Sequence, residues 1–287
     1  MIVGRVTEIW RYPVKSMAGG RLPDCRVTER GIPGDRGWAL RDEEAREIRG
    51  GKKFPALLRC KARYVDEPGD GATPTAEITL PDGTRVYSDD PETSRRLSAL
   101  LGAPVTLWPI RPPDDLEHYR RRLPGDPAAL DRVLREMFGR LPDEPLPDLT
   151  AFPRELIEFT SPRGTYFDAF PLHLLTDAWL DDLARTNPGA RFDRRRFRPN
   201  LLIAAEPGQS GKAELAWCGR EARVGEARIK LEIPVVRCSM TTQPQDDLPK
   251  DPSVLRTIVR ASAQNVGVYA SVLESGAVRV GDPIELS

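Results

Sequence analysis

The chain alternates short apolar and polar runs more often than it repeats them at helical spacing. "IVGRVTEIW" reads as a strand, and "YPVKSMAGG" is a turn-bearing exit from it. "RLPDCRVTE" and "GWAL" predict further short strands, split by the breaker cluster "RGIPGDRG". "LLRCKARYV" has strand character, and "AEITLPDGTRVYS" predicts a hairpin around its PDG turn. "DDPETSRRLSALLG" opens on acidic residues and a proline and closes on glycine, the pattern of a capped helix, before "PVTLWPI" returns to strand. Residues 111–150 break this rhythm. Prolines recur at 112, 113, 124, 127, 142, 145 and 147, with one amphipathic helix, "PAALDRVLREMFGR", between them, so the segment reads as a partly mobile connection. After it, "PLHLLTDAWLDDLART" predicts a strand running into a helix, with Thr176 as N-cap and Asp177 in the first turn. "RPNLLIAAE", "REARVG", "ARIKLEIPVVRC", "GVYASVLES" and "AVRVGDPIEL" follow as strands, and "PSVLRTIVRASAQ" as a helix with Val254, Leu255, Ile258 and Val259 at helical spacing. Strands outnumber helices, so a β-rich, barrel-like α+β architecture is expected over a doubly wound sheet, divided into 1–110, the connection 111–150, and 151–287.

Composition narrows the function classes. At 287 residues the chain makes one large domain or two moderate ones, and 39% apolar residues suffice for a core. Lys+Arg and Asp+Glu balance at 43 each, so no overall field steers it towards nucleic acid or a membrane surface. The charged N-terminus lacks a signal-peptide core and no apolar run reaches membrane-spanning length, which predicts a cytoplasmic protein with no membrane partner. Cys25, Cys60, Cys218 and Cys238 are too scattered for a disulfide framework or a structural zinc site. With only His118 and His173, a multi-histidine metal site is excluded, and a Cys-His nucleophile pair has to recruit His173. His118, within "DDLEHYRRR", reads as solvated among charges, and His173 as a core residue of the strand "PLHLL".

Candidate chemistry collects on turns. Cys238, in "IPVVRCSMTT", has three open readings: a packed thiol, a nucleophile, or a metal ligand. Lys15 and Ser16 end a strand, Arg36 sits in "GDRGW", and Lys52 and Lys53 follow the Gly-Gly of "RGGKK". "RFDRRRFRPN" carries five arginines, of which the consecutive Arg194, Arg195 and Arg196 cannot all face one ligand. Arginine clamps phosphate through paired hydrogen bonds and lysine adds a point charge. Basic residues on separate turns suit a pocket for a phosphorylated small molecule better than a nucleic-acid surface.

"YPVKS", "RGIPGDRGWAL", "RFRPNLLI", "VVRCSMTT" and "GAVRVGDPIEL", in that order, resemble the MOSC family (molybdenum cofactor sulfurase C-terminal domain proteins). The N-terminal half is similar to the smaller β-barrel domain that precedes the MOSC domain. The resemblance implies a molybdenum-pterin cofactor whose metal is bound by Cys238, a soft ligand suited to a high-valent metal. It puts Lys15, Ser16, Arg36, Arg198 and Asn200 at positions that hold the pterin and its phosphate, with Lys52 and Arg237 as further cationic contacts; Arg237 is expected to favour the Cys238 thiolate. It implies a molybdenum-dependent oxidoreductase reducing small N-hydroxylated or other N- or S-oxygenated compounds, the oxygen leaving as water. A carrier of sulfur (as a Cys238 persulfide) or of the cofactor is the rival reading. No nicotinamide, flavin or iron–sulfur signature is present, so electrons are expected from a separate reductase or carrier. Two departures stand out: "FDAFP" has Ala169 and Phe170 where amidoxime-reducing relatives carry Thr-Ser, and "RGGKK" replaces their Thr-Ala-Arg.

Overall fold

The computed structural model describes residues 1–69, 72–209 and 211–287. The first part of the chain holds β1 (Ile2–Arg11), β2 (Gly20–Leu22), β3 (Asp24–Val27), β4 (Trp38–Asp42), β5 (Glu47–Arg49), β6 (Lys61–Tyr64), β7 (Ala76–Thr79), β8 (Arg85–Tyr87), helix α1 (Pro91–Leu101) and β9 (Val105–Pro109). The proline-rich stretch contains α2 (Leu116–Tyr119) and α3 (Pro127–Phe138). The last part runs β10 (Leu172–Thr176), α4 (Asp177–Thr186), β11 (Leu201–Ala205), β12 (Glu221–Val224), β13 (Ala227–Val236), α5 (Pro252–Ala261), β14 (Asn265–Glu274), β15 (Gly276–Arg279) and β16 (Pro283–Leu286).

Seven strands close into a barrel in the order β11-β10-β14-β13-β12-β16-β1, because β1 also pairs with β11. Closure leaves the barrel no free edge. Val6 and Ile9 both face its core although they are three residues apart, since the register slips between Val6 and Glu8 and the bulge restores the phase. β10 and β11 are parallel, which requires a crossover, and α4 supplies it. Its Thr176 Oγ1 accepts from Trp179 N, the expected cap. α4 and α5 then seal one side of the barrel through Trp179, Leu183, Val254 and Ile258. In the first part, the three-stranded sheets β5-β4-β9 and β6-β7-β8 share a second core built on Trp38, Leu40, Leu57, Ile78 and Leu97.

The α+β, β-rich expectation holds, and three details differ. The expected division at residue 110 is crossed by β1, which lies in the first segment yet is hydrogen-bonded into the barrel of the last. "LLRC" is not strand: Pro55 starts a 3-10 turn over Pro55–Arg59, and the strand begins only at Lys61. His118 is not solvated. Its one-turn helix points Glu117 outward and turns His118 and Tyr119 inward, where His118 Nε2 lies 2.7 Å from Tyr166 Oη.

Glu214 is fully buried beneath the start of α4, accepting from Thr176 N and Thr176 Oγ1 at 2.9 Å each. Burial pushes its carboxyl up from 4.5 to about 7. The folded state therefore holds this proton more tightly than the unfolded chain, so stability falls as pH rises from about 4.5 to about 7. Glu214→Gln keeps an acceptor for Thr176 and removes the titration. Denaturant melts of the variant are expected to lose at least ~1 kcal/mol of this pH dependence. A variant whose stability profile matches the parent across pH 4.5–7 contradicts the assignment.

Candidate functional site

Every residue of β10 is buried, so both faces of the strand are covered. Leu172 and Leu174 point into the barrel core. His173, between them, points outward, opposite Tyr269 of β14. Over this outer face of β10, β14 and the end of β13 lies a cavity of about 650 Å³. β13 delivers Arg237 and Cys238 to it, and a 3-10 turn, Ser239–Thr242, carries the chain away. Cys238 caps that turn. Thr241 N and Oγ1 donate to the Cys238 carbonyl at 3.2 and 3.0 Å, and Thr242 Oγ1 donates to the Ser239 carbonyl at 2.7 Å. Those two hydroxyls thus shape the turn.

Six of the eight expected site residues line the cavity: Arg36, Lys52, Arg198, Asn200, Arg237 and Cys238. Lys15 reaches it indirectly, its Nζ donating to Asp168 Oδ1 at 2.8 Å and to the Tyr166 carbonyl at 2.7 Å, with Asp168 on the lining. Ser16 stands behind. Its Oγ accepts from Gly51 N at 2.8 Å and so fixes the loop that presents Lys52. Asn200 is spent on architecture: Oδ1 accepts from His173 N at 3.1 Å and Nδ2 donates to Asp35 Oδ2 at 2.9 Å.

Arg237 ties three elements together. Its Nε donates to the Val266 carbonyl at 2.9 Å, Nη1 to the Phe197 carbonyl at 3.1 Å and Nη2 to His173 Nε2 at 2.7 Å. Burial lowers the Arg237 guanidinium to about 10, leaving it charged at neutral pH. Burial first, and the Arg237 charge second, hold His173 well below the usual imidazole range. The ring is therefore neutral: Nε2 accepts from Arg237, and Nδ1 donates to the Arg198 carbonyl at 3.3 Å.

Arg36 and Arg198 share one aromatic support, lying 5.3 and 4.1 Å from the Tyr12 ring centroid. Arg36 Nη1 pairs with buried Asp35. Arg198 Nη1 donates to the Met17 carbonyl at 2.7 Å, while its Nη2 is buried with no hydrogen-bond partner. A buried unpaired donor on a cation is costly and needs a reason. Burial lowers this guanidinium to about 10, so it too remains charged. Asp168 is the one carboxylate on the described lining. Its side chain is 59% accessible. Burial by itself raises its carboxyl, but Lys15, Lys52 and Arg36 outweigh that and hold it below the usual carboxylate range. Burial likewise lowers the Lys15 ammonium, against the opposing pull of Asp168. Cations thus outnumber anions around the cavity, which suits an anionic ligand. Ser16, Arg36 and Arg198 also hold left-handed backbone, with φ of 70°, 52° and 56°. Such conformations are unfavourable without glycine and collect at functional sites.

The consecutive arginines diverge as expected. Arg194 lies over Trp10, Arg195 pairs with Asp193 and Asp247, and buried Arg196 donates to the Thr241 and Gln243 carbonyls at 3.1 Å each. The proline-rich segment, expected as a connection, forms a cavity wall. Leu130, Leu134, Met137 and Phe138 of α3 line it, with Arg121 before the helix and Phe152 after it. The spacing of the first four was visible in the sequence; their partner was not. Arg121 and Tyr269 had no sequence signal. Among the described residues no group of three or more His, Cys, Asp or Glu could hold a metal ion, so a metal on Cys238 needs its other ligands from the group that brings it.

Comparison with known proteins gives the same two halves. The family model described as the MOSC domain matches residues 162–285, and the MOSC N-terminal beta barrel domain matches residues 3–96. The chain is 25% identical to mitochondrial amidoxime reducing component 2 of Bos taurus, over 98% of this chain and 83% of that protein. It is 26% identical to the Homo sapiens protein of the same name, with the same two coverages of 98% and 83%. Among solved structures it is similar to the YUAD protein from Bacillus subtilis, with 12% identity, a TM-score of 0.45, and 99% and 95% of the two chains covered. Residues 97–161 lie outside both family matches.

Proposed function

As the chain belongs to the MOSC-domain proteins that carry the N-terminal β-barrel domain, we propose that it holds a molybdenum cofactor at Cys238 and reduces small N-hydroxylated or other N- or S-oxygenated compounds. One observation carries this reading: Arg198, a lining residue of the cavity that also holds Cys238, is buried and charged and has one guanidinium nitrogen, Nη2, without a hydrogen-bond partner. That donor, with Arg36 and Lys52, fits an anionic, phosphate-bearing group, and the Cys238 thiolate fits a soft metal position. When bound, the cofactor supplies the two-electron redox chemistry.

The chain's own residues hold and orient. Arg198 and Arg36 grip the anion, braced on Tyr12. Arg237 donates to the neutral His173 ring and fixes the strand end that carries Cys238. Asp168, held ionised, orients Lys15. Electrons come from a separate donor, a reductase or small electron carrier, and the compartment is the cytoplasm. Among the described residues no helix is long and apolar enough to cross a membrane.

Protein purified from a host that makes the cofactor is expected to contain about one molybdenum per chain and to reduce an N-hydroxylated arene when given an electron donor. Metal-free protein from that host, inert towards such compounds, overturns the proposal.

A further inference from the structure

Arg36, Lys52, Arg198 and Arg237 on the cavity lining come from the two matched domains, and a run of its apolar residues comes from the stretch that neither covers. α3 is amphipathic, yet none of its residues is buried. A helix with an apolar stripe and no fully buried residue has that stripe only partly covered by protein. Here Leu130, Leu134, Met137 and Phe138 turn it to the cavity.

The stripe starts beside Cys238. At Gly139, φ 63°, an added Cβ meets Ser239 Cβ at 3.0 Å and Leu255 Cδ2 at 2.9 Å, so the helix end is seated on the turn that follows the cysteine. Buried Arg140 locks it there, donating from Nη2 to the Arg237 carbonyl at 2.9 Å and from Nε to Gln264 Oε1 at 2.7 Å. Across the cavity, the Tyr269 ring stands 5.6 Å from Phe170 and 6.4 Å edge-on from Phe152. Aromatic groups arranged this way favour a planar ring over a charged chain. Arg36, Lys52 and Arg121 repel a cationic body, and the lining carboxylate, Asp168, is committed to Lys15.

We propose that the wall formed by residues 121–160 selects the substrate: it receives the uncharged, aromatic or alkyl-aromatic body of the N-oxygenated compound and leaves the N–O group towards Cys238. The orientation of the N–O group rests on the proposed function; the apolar preference of the wall does not.

The test uses 4-n-alkyl benzamide oximes, from unsubstituted to butyl, titrated calorimetrically into the purified protein without reductant, so that nothing turns over. Dissociation constants are expected to tighten by about two- to fourfold for each added methylene, the upper figure being full burial. Leu134→Asp is expected to flatten that trend; Leu134 is only part-buried, so the fold survives, and Leu130→Gln is the milder second variant. Constants that do not change along the series, or an undiminished trend in both variants, overturn the inference. Reduction of the compounds with a flat binding series defeats the wall alone. A chain-length trend lost in the variants, with no compound ever reduced, sustains the wall and defeats the proposed function.

Discussion

Cys238→Ser is expected to strip molybdenum from the protein, from about one atom per chain to less than a tenth of that, and to abolish reduction of N-oxygenated compounds. Among the described residues no three-ligand cluster of His, Cys, Asp or Glu backs the cysteine up, and Cys238 is the one thiol on the described lining, so its loss leaves only the weaker thioether sulfurs of Met137 and Met240 there. The fold is expected to be unaffected. Cys238 is half-buried, and what shapes its turn is its carbonyl, which accepts from Thr241 and survives the substitution. Elemental analysis beside a thermal melt separates the outcomes. Unchanged molybdenum content in the serine variant defeats the ligand role. Metal-free parent protein bearing sulfane sulfur on Cys238 instead identifies a carrier.

Arg198→Met carries the second large effect, and its sign differs between the empty and the loaded protein. In the empty protein Arg198 is a buried charge with a donor unsatisfied, so an apolar residue of similar length that still packs on Tyr12 changes stability by only ~1 kcal/mol. In the loaded protein the same donor is a charge-assisted hydrogen bond in a dry site, and losing it costs ~3 kcal/mol, about a hundredfold in cofactor retention. Arg198→Lys is expected to recover little, because a point charge does not replace a guanidinium fork that holds the Met17 carbonyl with one nitrogen and offers a second. Cofactor released on dilution, measured against the melt of the cofactor-free protein, reads both halves. Equal retention in parent and Arg198→Met denies the anion-binding role.

Much of the fold was legible because its signals are local. The Asp90 and Gly102 caps of α1 are sequence-adjacent to the elements they end, as is the Thr176 cap of α4. The PDG turn fixed the β7–β8 hairpin for the same reason. Failures came where partners are remote. His118 is surrounded in sequence by charges, yet its one-turn helix hands it to Tyr166, 48 residues away. The alternation in β1 reports that it is a strand but not that it completes a barrel with β11 and β16. Proline spacing in 111–150 announced irregular backbone correctly. It gave no sign that the helix within it turns a partly covered apolar stripe to the cavity beside Cys238.

By itself the sequence determined most element types, the β-rich class and, through five ordered motifs, the family, and it singled out Arg36, Lys52, Arg198 and Arg237, which line one cavity with Cys238. These are set by neighbours within a turn or a hairpin, and by residue identities that need no contacts to be read. Tertiary structure alone decided how each charge is used. Three side chains that look alike as isolated letters, Arg36, Arg198 and Arg237, part company because hydrogen bonding is a matter of what lies within 3 Å. Arg36 is paired with Asp35, Arg237 is consumed by Val266, Phe197 and His173, and Arg198 keeps one buried donor unpartnered.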